Sequence, residues 1–144
     1  MNKTLLTFIL LVFALSLSAQ TGLFDIRYGM TKEQAVEHLE DEGFSVTSDI
    51  DNSVEMSPED NYYVSGIELE FTDGVLQDWY IVYLLQEDED IEDLVIEALV
   101  ERHGDEYDID EDMEMYYWYL GEGHWVYAGW DWAWEDFWVE YTTE

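Results

Sequence analysis

Residues 66–76 read Gly66-Ile67-Glu68-Leu69-Glu70-Phe71-Thr72-Asp73-Gly74-Val75-Leu76, the sharpest local pattern in the chain. Ile67, Leu69 and Phe71 alternate with Glu68 and Glu70, so an extended chain here has one apolar side and one charged side. Asp73-Gly74 is a pair that tolerates the positive backbone angles of a tight hairpin turn. A second apolar run, Val75 through Leu85, returns beside the first. The reading is a β-hairpin with one side meant for a core.

Working outward, Thr31-Lys32-Glu33-Gln34 has the pattern of a capping box, in which the Thr hydroxyl accepts from the backbone three residues on and Gln34 reaches back. Ala35, Val36 and Leu39 recur at helical spacing, and Gly43 supplies a left-handed stop after which Phe44 folds back. This predicts a helix over about 32–42. Phe44-Ser45-Val46 and Val54-Glu55-Met56 read as short strands separated by the polar stretch Ser48 to Ser53, and Pro58 to Asn61 read as a loop. Downstream, the acidic run Glu87 to Asp90 suits a helix N-terminus, and Ile91, Leu94, Val95, Ala98 and Leu99 keep helical spacing. Arg102 and His103 fall in the last turn and Gly104 ends it, giving a helix over about 90–103. An acidic loop, Asp105 to Asp112, then leads to three strand-like runs: Met113–Leu120, His124–Trp130 and Phe137–Tyr141.

The two halves look alike, each a helix followed by about three strands, and the pseudo-repeats span about 24–86 and 87–144. Each is too small to stand alone, so both are expected to share one core in a single domain over 20–144. The expected fold class is α+β: two short helices packed on an antiparallel sheet, as a tandem helix–three-strand repeat.

The stretch Gly29-Met30-Thr31-Lys32-Glu33-Gln34-Ala35-Val36 resembles the opening of the outer-membrane assembly lipoproteins of the SmpA/OmlA (BamE) family. Leu69 through Leu76 resembles that family's later hairpin. Tandem copies of such a unit resemble the β-lactamase-inhibitory proteins. The resemblance covers about a third of the chain beyond residue 19 and implies a small helix-and-sheet fold. The chain departs from the family in lacking the lipidated cysteine and the glycine-proline pair that usually ends the helix. Neither outer-membrane assembly nor β-lactamase inhibition follows from it.

Residues 1–19 have the layout of a secretory signal peptide: Lys3, an apolar run from Leu5 to Leu15 broken by Thr7, and small residues before Gln20. The run is shorter than the roughly 20 apolar residues a spanning helix needs. The expectation is a secreted or periplasmic protein with no membrane insertion after cleavage. No cysteine occurs in the 144 residues, which excludes disulfides, thiol nucleophiles and zinc–thiolate sites. All 36 acidic residues lie beyond the signal peptide, against Arg27, Lys32 and Arg102, for a net charge of about −33. Nucleic acid is not an expected partner, because phosphate contacts need clustered Lys and Arg. Such acidity suits a salty medium, a divalent cation or basic partner, or mimicry of nucleic acid.

Catalytic signatures are missing. His38, His103 and His124 share no zinc spacing, and no serine lies in a nucleophile elbow. Paired carboxylates can be picked anywhere in so acidic a chain and carry no signal. No enzyme activity and no cofactor are expected, weak calcium binding being the one candidate. Asp108, Asp110, Asp112 and Glu114 alternate as in the first half of an EF-hand loop, but Met113 stands where glycine is needed and Tyr119 where the closing glutamate belongs.

The aromatic residues carry the functional reading. Tyr116 to Tyr119, Trp125, Tyr127, Trp130, Trp132, Trp134, Phe137, Trp138 and Tyr141 crowd the last 30 residues. In strands their rings must populate both sides of a sheet, more than two short helices can cover. Trp118, Trp125, Tyr127 and Trp138 are the expected ligand surface of a non-catalytic binding protein whose partner is a protein, basic in the charge-complementary case. The same rings could stack on sugars, as in a carbohydrate-binding module; a divalent-cation-binding or salt-adapted acidic protein is the other alternative.

Overall fold

A computed structural model describes residues 21–60, 63–86 and 90–144; the signal-peptide expectation falls outside these residues. Local rules set the first elements. Thr31 Oγ1 accepts from the Gln34 amide at 3.2 Å and Gln34 Oε1 accepts from the Thr31 amide at 3.0 Å, so the capping box is complete and starts α1, Lys32–Asp41. Asp73 and Gly74 take φ values of 52° and 80°, the mirror-image turn whose twist suits a two-residue hairpin. They join β3, Val64–Thr72, to β4, Val75–Tyr83. Asp90 caps α2, Ile91–His103, by accepting from the Asp93 amide, and Gly104 at φ 92° stops it.

The remaining strands are β1, Phe44–Ile50; β2, Ser53–Pro58; β5, Asp108–Asp110; β6, Met115–Gly121; β7, His124–Asp131; and β8, Asp136–Thr143. All eight form one antiparallel sheet in the order β1-β2-β3-β4-β8-β7-β6-β5. Two four-stranded meanders therefore meet at β4 and β8. Their register is symmetric about the Ile81–Val139 pair, since Trp79 opposes Tyr141 while Tyr83 opposes Phe137. A constant offset of 58 residues carries Trp79, Ile81 and Tyr83 onto Phe137, Val139 and Tyr141.

The expected fold class is corrected by this sheet. An eight-stranded antiparallel sheet dominates the chain, and the two short helices are accessories to it rather than half of an α+β pair. Each half holds four strands rather than about three: the first has two short strands and both arms of the hairpin, with β1 running on through Ser48 to Ile50, and the second gains β5 from the predicted acidic loop. Pro58, assigned to a loop, ends β2.

One side of the sheet carries the core. Val54, Leu69, Leu76, Ile81, Val126, Phe137, Val139 and Tyr141 are completely buried with Leu39 of α1 and Leu99 of α2. No polar or charged residue is buried among the described residues. None of their helices is long and apolar enough to cross a membrane.

The segment before α1 seals the seam between the halves. Trp79 and Tyr141 stack at 4.5 Å and 11°, and the Leu23 amide donates to the Tyr141 hydroxyl at 2.9 Å. Gly22 lies against this stack: a Cβ there would sit 2.6 Å from Trp79 and 2.7 Å from Tyr141. Gly22→Ala should therefore lower stability by about 1–3 kcal/mol, the usual result of overpacking, as a reduced urea midpoint with unchanged slope. A midpoint equal to wild type would show that the rings can part.

The same hydroxyl meets His103 Nε2 at 2.9 Å. Burial, then the neighbouring Arg102 charge, lowers the His103 pKa to about 4. The unfolded chain thus binds a proton that the native chain refuses between pH 6.5 and about 4, so this group's contribution is full above the unfolded value and falls as the pH drops. Relative to His103→Gln, wild type should lose about 2–3 kcal/mol from pH 7 to pH 4.5, measured by urea unfolding of both proteins. Parallel pH profiles would contradict the assignment.

Candidate functional site

Strand parity fixes what faces away from the core. Cross-strand partners run from β2 to β5 as Glu55, Glu68, Tyr80, Glu140, Tyr127, Tyr117 and Asp108, one unbroken row over seven strands. A second row places Val82, Trp138, Gly129, Met115 and Asp110 side by side, and a third sets Thr142, Trp125 and Tyr119 together. None of the tyrosines and tryptophans in these rows is buried, and Tyr119 is 58% exposed.

The rings form two groups. Trp125 lies 4.7 Å from Tyr119, 6.1 Å from Tyr127 and 6.3 Å from Tyr117, the Tyr127 contact being stacked at 15°. Tyr80 and Trp138 stack at 5.6 Å across β4 and β8. Gly129 lets the Trp138 indole lie low on the sheet, since an added Cβ would meet Trp138 Cζ2 at 3.3 Å. Glu140 stands between the groups, paired with Tyr80 on one side and Tyr127 on the other.

Towards β3 and β2 the same face turns acidic. A hollow of about 300 Å³ is lined by Glu68, Glu70, Asp78, Tyr80 and Glu140, and a neighbouring one of about 290 Å³ shares Glu68 and Tyr80. Asp78 Oδ1 is held by the Thr142 hydroxyl at 2.7 Å and the Thr143 amide at 3.0 Å. Burial raises the Glu140 carboxyl, with Asp78 adding to it, and burial followed by the Glu70 charge raises Glu68. Burial and then Asp131 push the Tyr80 phenol up to about 12, so it remains a hydrogen-bond donor at neutral pH. The face offers ring surfaces, phenol donors and carboxylate acceptors, and no basic side chain lies in its three rows.

Trp125, Tyr127 and Trp138 of the expected ligand surface share this face. Trp118 does not, and that expectation is corrected: it is 1% exposed on the core side, opposite Val126, with Nε1 donating to the Gly104 carbonyl at 3.0 Å. Its neighbours Tyr117 and Tyr119 take its place, together with Tyr80 and Glu140 from the central strands. Parity within Tyr116–Tyr119 already separates Trp118 from Tyr117 and Tyr119; only the choice of side was wrong.

The acidic quartet does not converge. Asp108 and Asp110 pair with Tyr117 and Met115, facing away from the core. Asp110 Oδ1 instead accepts from the amides of Asp112 and Met113 to close the β5–β6 turn. Glu114 reaches Trp132 Nε1 at 2.9 Å. Among the described residues no group of three or more His, Asp or Glu side chains is placed to hold a metal ion. The histidines serve packing: His38 bonds the Phe24 carbonyl at 2.8 Å, and the His124 ring lies 4.1 Å from Tyr28.

Comparison with protein-family models, with curated proteins and with solved structures finds no match to this chain.

Proposed function

We propose that the chain is an exported, non-catalytic binding protein whose uncovered sheet face takes a protein partner presenting basic side chains. The observation that carries this is two ring groups on one face, Tyr117, Tyr119, Trp125 and Tyr127 on one side of Glu140 and Tyr80 with Trp138 on the other, half-buried to exposed and bordered by Glu68, Glu70 and Asp78. Tyr and Trp are rich in contact area and ordered by their neighbours, which lowers the entropy lost on binding. Arginine or lysine laid over these rings gains both from the ring faces and from the surrounding carboxylates. The face offers ring surfaces, phenol donors and carboxylate acceptors, groups suited to recognition. Export rests on the signal-peptide layout of residues 1–19.

The test uses synthetic peptides carrying arginine or lysine beside an apolar residue, run in parallel with a glycan array. Saturable quenching of tryptophan fluorescence by the peptides is expected, weakened by at least about tenfold in Trp125→Ala/Trp138→Ala and in the exposed-site variant Tyr119→Ala. Added NaCl should weaken this binding while strengthening the fold, because screening removes attraction to the peptide and self-repulsion within the chain alike. A glycan response lost in the same variants would reassign the face to sugars. Peptide binding that ignores all three substitutions would overturn the reading.

A further inference from the structure

We propose that a second site, a pocket for an alkylammonium cation, lies at the start of α2 on the helix side of the sheet. It is separate from the ring platform and stands or falls independently of it. The cavity measures about 450 Å³ and is walled by Tyr116, Trp130 and Trp132 and by the carboxylates of Glu92, Glu111 and Glu114. The acids alone would not mark a site in so acidic a chain; their arrangement around indoles does.

Glu92 comes from the first turn of α2 and is gripped from the sheet. Its Oε1 accepts from the Tyr116 hydroxyl at 2.8 Å and its Oε2 from Trp130 Nε1 at 2.6 Å. Glu114 Oε2 accepts from Trp132 Nε1 at 2.9 Å. Three aromatic donors thus fix the orientation of two carboxylates, whose remaining lone pairs stay free to accept. The hydrogen bond to Glu92, more than burial, pushes the Tyr116 phenol up to about 12, which keeps it a donor. Trp130 and Trp132 stack at 5.3 Å and 19°, and Trp132 remains 65% exposed. The lining holds no basic side chain; Lys32 is paired with Asp49 and Arg102 with Asp25.

This arrangement selects the kind of cation. A calcium ion needs six to eight oxygens drawn to about 2.4 Å, and no described cluster of acids is that tight. An ammonium on an apolar stem asks for less: carboxylate acceptors for its N–H groups, and ring surface within about 6 Å for its charge. Indoles shelter the stem and carboxylates take the head. Free amines and lysine side chains share that chemistry.

The experiment follows indole N–H resonances by NMR during titration with n-butylammonium chloride at fixed ionic strength. Saturable shifts of Trp130 and Trp132 are expected while Trp125 and Trp138 stay in place. Trp132→Ala, read at Trp130, and Glu114→Gln should each weaken binding by about tenfold; both positions are exposed, so the fold is retained. Nα-acetyl-lysine amide binding as tightly as butylammonium points to a lysine of a polypeptide, and weaker binding points to a free amine. Linear shifts shared by all indoles, substitutions without effect, or calcium chloride saturating the same resonances at lower concentration would each overturn the site.

Discussion

The pairing of β4 with β8 is the constraint from which the rest of the structure follows. It joins two four-stranded meanders, neither large enough to bury a core alone, into one sheet with one continuous apolar side. With no disulfide to assist, the stack of Trp79 on Tyr141 and the opposing pair Tyr83 and Phe137 must hold that seam by packing. The seam also sets parity. Once Trp79, Ile81, Val139 and Tyr141 face the helices, Tyr80, Trp138 and Glu140 have to face out, because a one-residue slip would exchange the two sets entirely. Fold and candidate site are therefore decided by the same register.

Acid on the outer face is arranged at a local cost. Glu55 directly opposes Glu68, and Glu70 opposes Asp78, pairings of like charge that weaken a sheet. Partial burial compounds this for Glu68 and Glu140, whose carboxyls protonate more readily in the fold than in the unfolded chain. Both carboxylates thus oppose folding above their native pKa, and the opposition fades as the pH falls. A sheet selected only for solubility would have no reason to set these groups opposite one another beside tyrosine and tryptophan rings. Cationic groups laid across the face would relieve the repulsion, and the rings would strengthen each charge by excluding water.

What was legible in the sequence was local. The capping box at Thr31, the Asp73-Gly74 turn and the stop at Gly104 depend on residues within a few positions of one another, and the structure realises each as expected. Edge strands were not legible. Asp108–Asp110 has the composition of a solvated loop and becomes a strand only because β6 offers it a partner. Helical spacing was easier to read than short polar strands, so the helices received too much weight in the expected fold class. At the site, alternation grouped the rings correctly within β6, but the side facing the helices is set by Val126 and Ala128 on the next strand, which drew Trp118 into the core.

The two candidate sites show how far one strand pair can be divided. Tyr116 and Trp130 point to the helix side of β6 and β7, while Tyr117 and Tyr127 on the same strands point away. The two sets share backbone but no side chain, so each can be altered without emptying the other. What joins Glu92 to Tyr116 and Trp130 is separated by 24 and 38 residues in the chain and exists only once α2 has docked on the sheet. Docking places a carboxylate from the helix between donors from two strands, and this same contact anchors the helix at its N-terminal end. The pocket is thus a product of the packing that the seam makes possible, and a sheet broken between β4 and β8 would lose the geometry of both faces together.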